Sequence, residues 1–271
     1  MMPELTVLLE LAALGLCIGF LAGLLGIGGG AVMVPFLIWM LGQRGIPLEL
    51  AIKMAIATSM ATIVFTSLSS VRAHHQRGAV RWDLVKTMSP GIVVGSLLGS
   101  LGVFALINGQ VLTVVFAVFV SFAATQMFID AKPTPTRQIP GWAGQFGAGG
   151  VIGLVSGLVG AGGAFISVPF MTWCNVAVHS AVATSAALGF PIALANVAGY
   201  VVSGLSLEGL PADSVGYLWL PALVVISSCS VLMAPLGAST AHRMPVKPLK
   251  RLFACLQYLV AAHMFYKAWA S

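Results

Sequence analysis

Two glycine clusters and two Ala-Thr-Ser triplets hold the residues of this sequence best suited to chemistry. Gly23-Leu-Leu-Gly26-Ile-Gly28-Gly29-Gly30-Ala-Val-Met-Val-Pro35-Phe36 aligns without gaps on Gly157-Leu-Val-Gly160-Ala-Gly162-Gly163-Ala164-Phe-Ile-Ser-Val-Pro169-Phe170, and Trp39 and Trp173 keep the same offset. Downstream, Ala57-Thr58-Ser59 matches Ala183-Thr184-Ser185, Pro90 matches Pro221 and Met127-Phe128 matches Met264-Phe265. A glycine cluster between apolar runs breaks a helix, and the helix that restarts after it presents free N–H groups and the positive end of its dipole. Glycine also lets a ligand approach the backbone closely. This is chemistry for holding an anion without a fixed charge. The candidate binding residues are therefore Gly28, Gly29, Gly30, Thr58 and Ser59 from one copy, and Gly162, Gly163, Ala164, Thr184 and Ser185 from the other, with the hydroxyls as additional donors. Asn196 and the equivalent pair Gln126 and His263 are further candidates for lining a cavity, although a satisfied core histidine is the simpler reading of His263.

The elements that must position these residues follow from composition. Of 271 residues, 59% are hydrophobic and 7% charged, with a mean hydropathy of +1.01, against roughly 25% charged in soluble domains. The solvent of such a chain is lipid. Its apolar runs are 5–25, 31–42, 51–71, 85–107, 111–129, 142–159, 164–175, 178–204, 215–239 and 249–269. A bilayer core takes about 20 helical residues to cross, so 31–42 and 164–175, each directly after a glycine cluster, are too short to cross alone. The first run has an acid before it and no small-residue cleavage site after it, and is expected to stay in the mature protein.

Loop charge orients the two copies. Arg72, Arg77, Arg81 and Lys86 crowd one loop of the first copy, whereas the equivalent loop of the second carries Glu208 and Asp213. One loop later the pattern reverses: 105–110 is uncharged and its counterpart has Arg243, Lys247, Lys250 and Arg251. Equivalent loops then lie on opposite faces, which makes the repeats inverted. The expected fold is an all-α polytopic membrane protein of two inverted repeats, each a glycine-broken helical hairpin plus three transmembrane helices. The first repeat is 1–130, a cytoplasmic linker is 131–141, and the second repeat is 142–271. Both termini fall outside, and the hairpins bend at Gly26–Gly30 and Gly160–Gly163.

Several classes are excluded or disfavoured. The basic residues sit between apolar runs in the pattern of bilayer orientation, so the pI of 9.4 does not mark nucleic-acid binding. Cys17, Cys174, Cys229 and Cys255 show no ligand spacing and read as packing residues, so neither metal nor cofactor is expected. No HExxH, no Ser/Lys or Ser/His pairing and no mid-span acid pair points to an enzyme. The GxGG runs lack the βαβ context of a dinucleotide site. Glu10 falls near the outer interface, His74 and His75 in a solvated basic loop, and Trp39, Trp82, Trp142, Trp173, Trp219 and Trp269 at segment ends as interfacial anchors.

The paired GxGG…VP elements, the ATS elements and the four-plus-four hydrophobic layout resemble the TauE/SafE sulfite exporter family, also called TSUP, over essentially the whole chain. One departure is Ala164 where the first repeat has Gly30. The resemblance implies an inner-membrane carrier for sulfite or an organosulfonate such as sulfoacetate, bound between the hairpin tips and moved by alternating access. An anion channel of the same architecture, a carrier of another small anion and a structural membrane subunit are the alternatives. The expected partners are a small anion and the lipid bilayer, with homo-oligomerisation left open.

Overall fold

The computed structural model describes residues 5–25, 30–129, 137–205, 207, 209–241 and 246–270. The chain forms an all-α polytopic membrane protein. Its helices are α1 (Leu5–Leu25), α2 (Gly30–Gln43), α3 (Leu48–Gln76), α4 (Trp82–Leu97), α5 (Phe104–Leu106), α6 (Gly109–Ile129), α7 (Trp142–Val159), α8 (Ala164–Trp173), α9 (Val178–Gly204), α10 (Leu220–Ala241) and α11 (Val246–Ala270). A π-helical stretch, Leu98–Val103, joins α4 to α5. Six helical segments among the described residues are long and apolar enough to cross a membrane: Leu5–Ala22, Leu48–Gln76, Trp82–Leu106, Gly109–Ile129, Trp142–Val159 and Val178–Gly204.

Two boundaries differ from the hydropathy reading for identifiable reasons. Helix α3 runs past the apolar run 51–71 in both directions. Pro47 fixes its start and polar residues continue it to Gln76, with Arg77 as its C-cap. The run 215–239 loses its first residues to a β-hairpin, because Gly216 takes φ 54° and turns Ser214–Val215 (β1) back against Leu218–Trp219 (β2).

The helices pair across the two halves of the chain. Helix α1 packs along α10, with Gly15 against Ile226 and Gly19 against Ser230, and Ser230 Oγ donates to the Gly15 carbonyl (2.9 Å). Helix α4 packs along α7 in the same parallel sense, the carbonyls of Phe146, Gly150 and Leu154 facing Gly91, Gly95 and Gly99. Small residues permit this backbone approach, the usual basis of helix association in lipid. Helices α6 and α11 pack antiparallel: Gln110 Nε2 donates to Ala268 O (2.7 Å), and Thr125 and Tyr258 share a hydroxyl bond (2.7 Å) at the other end. At the centre lies α3 against α9.

Both short helices return the chain to the end it came from. The Arg137 N–H, ahead of α7, donates to the carbonyl of Trp173, the last residue of α8 (3.3 Å), and the Arg137 guanidinium lies 4.4 Å over the Trp173 ring. Arg44, just after α2, lies 4.9 Å over Trp219, at the end where α10 and its parallel neighbour α1 begin. The bundle thus has a Trp219 end and an Arg81 end, with each helical hairpin rooted in one of them.

Gly95→Ala forces a methyl group into the Gly150 carbonyl and should cost about 1–3 kcal/mol, whereas Gly147, on the same pair of helices with nothing near its added Cβ, should accept alanine without loss. The melting temperatures of the purified variants check this.

Candidate functional site

Helix α7 stops where Gly160 adopts φ 71°, and the tip closes with Gly163 at φ 76°. Side chains rarely tolerate this left-handed backbone, and glycine enters it freely. The Gly163 N–H donates to Ala161 O (2.8 Å), and the N–H groups of Ile166 and Ser167 return to Gly163 O (3.0 and 2.8 Å). The N–H groups of Ala164 and Phe165, at the start of α8, have no carbonyl of their own helix to bond.

The tip is anchored at the middle of α3. Ser59 Oγ donates to Gly160 O (3.1 Å), and Gly160 packs on Ile56. Gly30, the first residue of α2, approaches from the other hairpin so closely that a Cβ there would strike the Gly160 carbonyl and lie 3.1 Å from Ser59 Oγ. The start of α2 and the break after α7 therefore meet in the interior of the bundle, and glycine is needed at position 30 for them to do so.

From this meeting point a cavity of about 100 Å³ extends toward the Arg81 end. Its walls are Ile63, Thr66, Ser67, Ser70 and His74 of α3, Val182, Ser185, Ala186 and Gly189 of α9, and Gly162 and Ala164 of the tip, with Ala22 and Ala234 completing it. Apart from His74 the lining is hydroxyl, alanine, glycine and branched aliphatic, with no acid. Three of the hydroxyls are bonded within the protein: Ser185 Oγ to Ser167 Oγ (2.7 Å), Thr66 Oγ1 to the Thr62 carbonyl (3.3 Å), and Ser67 Oγ to the Val64 carbonyl (3.0 Å). A hydroxyl rotates, so a bond to the preceding turn can be exchanged for one to an anion.

The opposite end is plugged. Tyr217, Leu218 and Trp219 are buried. The Trp219 indole N–H donates to Asp213 Oδ2 (3.0 Å), and Arg44 stacks on the ring while its guanidinium lies 3.6 Å from the same carboxylate oxygen. Trp219 was expected to anchor at the interface. It is instead buried, because the β-hairpin folds it inward over Thr58.

The sequence-derived candidates separate into three groups. Gly162, Ala164 and Ser185 line the cavity. Thr58, Ser59, Thr184, Gly30 and Gly163 build the frame. Thr58 Oγ1 accepts the Trp219 backbone N–H and Thr184 Oγ1 accepts the Arg81 backbone N–H, each at 3.0 Å. These reciprocal bonds tie each threonine to the chain entering a helix of the other half. Gly163 packs beside Ile192, Ile152 and Ser156. The third group lies away from the cavity. Asn196 is buried and donates to Ile192 O (2.8 Å), Gln126 is half-buried on α6, and exposed His263 lies in a groove with Trp39 and Lys267. Gly28 and Gly29 fall outside the described residues.

Thr66, Ser67, Ser70 and His74 were not singled out as binding residues from the sequence. Their spacing places them on one helical face, but the apolar run ends at 71, so His74 reads as loop until α3 is seen to continue. His75 is exposed as expected and accepts a bond from Trp82 Nε1 (3.1 Å).

The family described as sulfite exporter TauE/SafE matches the chain over residues 11–264. A protein of Haemophilus influenzae named "Probable membrane transporter protein" is 34% identical, covering 97% of this chain and 99% of that protein. Proteins with the same description from Bacillus subtilis and Methanocaldococcus jannaschii are each 26% identical, the first covering 95% of this chain and 97% of its own length, the second 91% of both. No solved structure gives a significant match.

Thr58→Val strips the acceptor from the buried Trp219 N–H and should lower stability by about 1–3 kcal/mol, whereas Thr184→Val, whose partner is the part-buried N–H of exposed Arg81, should cost less, read as a large and a smaller depression of the melting temperature in the purified variants.

Proposed function

The chain belongs to the TauE/SafE sulfite exporter family of membrane transporters, and we propose that it is a secondary carrier, working as an exporter, for a small sulfur oxyanion or organosulfonate such as sulfite or sulfoacetate. The observation that carries this reading is the cavity between α3 and α9. It has hydroxyl groups, small residues that expose backbone, and the start of α8 at its floor, with no acid in its lining. Hydroxyl and backbone N–H donors can replace part of an oxyanion's hydration shell. A site built mainly of neutral donors also releases its ligand, which turnover requires.

Two inverted repeats, 1–130 and 142–271, joined by a cytoplasmic linker at 131–141, give the symmetry such a carrier needs. The antiparallel packing of the equivalent helices α6 and α11 supports it. The positive-inside rule assigns the Arg81 end, with Arg72, Arg77 and Lys86 nearby, to the cytoplasm of an inner membrane. The cavity then faces inward, the Trp219 plug faces outward, and both termini lie outside. A cavity at one end and a plug at the other correspond to one half of an alternating-access cycle, in which the hairpins rock about the site. This supports a carrier over a channel.

Uptake of labelled sulfite into proteoliposomes tests the reading. Flux should saturate and show counterflow, and Ser70→Leu, which fills the cavity wall, should lower it at least about tenfold with an unchanged melting temperature. Currents far above carrier turnover, or no saturable flux of any sulfur oxyanion or sulfonate, would contradict the reading.

A further inference from the structure

The face of α3 that lines the cavity continues beyond it. His74, Ser67, Met60 and Lys53 follow one another at intervals of seven residues. Seven residues are nearly two turns, so these four share a face, with Lys53 roughly 30 Å from His74 at 1.5 Å per residue. The cavity uses the half of this face nearer the Arg81 end, and the β-hairpin plug covers the other half.

Lys53 is the one Lys or Arg side chain buried among the described residues, at 8% exposure. Its Nζ donates to Ala105 O at 3.4 Å and stands 6.0 Å from the Phe104 ring and 5.9 Å from the Tyr217 ring. No carboxylate of the described residues lies within ion-pair distance of it. Glu49, one turn earlier, is engaged with the Gly109 N–H (3.2 Å). Burying an ammonium costs several kcal/mol, and one long hydrogen bond, two ring faces and the nearby Glu49 carboxylate offset only part of that. A methionine would fill the same space at lower cost, so packing alone does not account for a lysine here. An ionisable group within a membrane span points to function.

Tyr217, one of the two rings beside Lys53, belongs to the plug, and Trp219 of the same hairpin closes over Thr58. Withdrawal of the hairpin would uncover Lys53 at the head of an opening on the Trp219 side, at the place on the helix face that His74 holds on the other side. Building on the carrier reading above, we propose that Lys53 is an anion-binding residue of the state open at the Trp219 end. Its ammonium meets a sulfite or sulfonate anion there, and the returning plug takes it away again. A cation covered in one state attracts the anion without trapping it through the whole cycle.

The test is sulfite transport by protein reconstituted in one known orientation, with Lys53→Gln, Lys53→Met and Lys53→Arg compared with wild type. Both neutral variants should raise the half-saturating sulfite concentration at the Trp219 end about tenfold, the size of one lost charge-assisted bond. The value at the His74 end should stay within about twofold, and Lys53→Arg should restore the wild-type value at the Trp219 end. Equal shifts at both ends, or no shift in either neutral variant, would overturn the assignment and leave Lys53 as a donor to Ala105 alone. Absence of saturable sulfite flux in the wild type would overturn the carrier reading itself.

Discussion

Peptide groups that leave a helix inside a membrane must be bonded, hydrated or enclosed, because an unpaired N–H in hydrocarbon costs several kcal/mol. The architecture follows from that constraint. Helix α7 breaks at Gly160–Gly163 and α2 restarts at Gly30, and the two places are brought against each other and against Ser59, inside a shell of crossing helices. Enclosure leaves room on one side, and the cavity that results is floored by backbone that α8 cannot satisfy itself. The feature that threatens the fold is thus the one available for binding.

The shell is built by exchange between the two halves of the chain. Each hairpin's first arm, α1 or α7, packs on a helix of the opposite half, α10 or α4. Thr58 and Thr184 repeat the exchange at the level of single hydrogen bonds. Departures from symmetry sit at the ends: a β-hairpin with Trp219, Asp213 and Arg44 at one, and the open stripe of Ser67, Ser70 and His74 at the other.

Most of the fold was legible in the sequence because lipid imposes a coarse rule, one apolar run per helix, and because the duplicated glycine clusters mark the breaks directly. The turning back of the second hairpin was read from loop charge, and Arg137 over Trp173 shows its two ends side by side. The site was legible in part. Gly162, Ala164 and Ser185 line the cavity, whereas Thr58 and Thr184 are held on backbone N–H groups. Adjacent residues on a helix differ by about 100° in direction, so an Ala-Thr-Ser triplet cannot say which hydroxyl faces inward. Trp219 was misread because the hydropathy of 215–239 does not distinguish a helix from a short hairpin folding over a core. His74 was misread because α3 outlasts its apolar stretch.

The central claim is that an anion is held at the floor of the cavity, between the tip at Gly162 and the hydroxyls of Ser67 and Ser185. Anomalous diffraction from crystals grown with selenite, a heavier analogue of sulfite, tests it most directly. The account predicts a selenium peak within hydrogen-bond reach of Ser185 and the start of α8, and its loss when excess sulfite is added. Selenium confined to the basic surface around Arg72, Arg77 and Lys86, with the cavity empty, would contradict it.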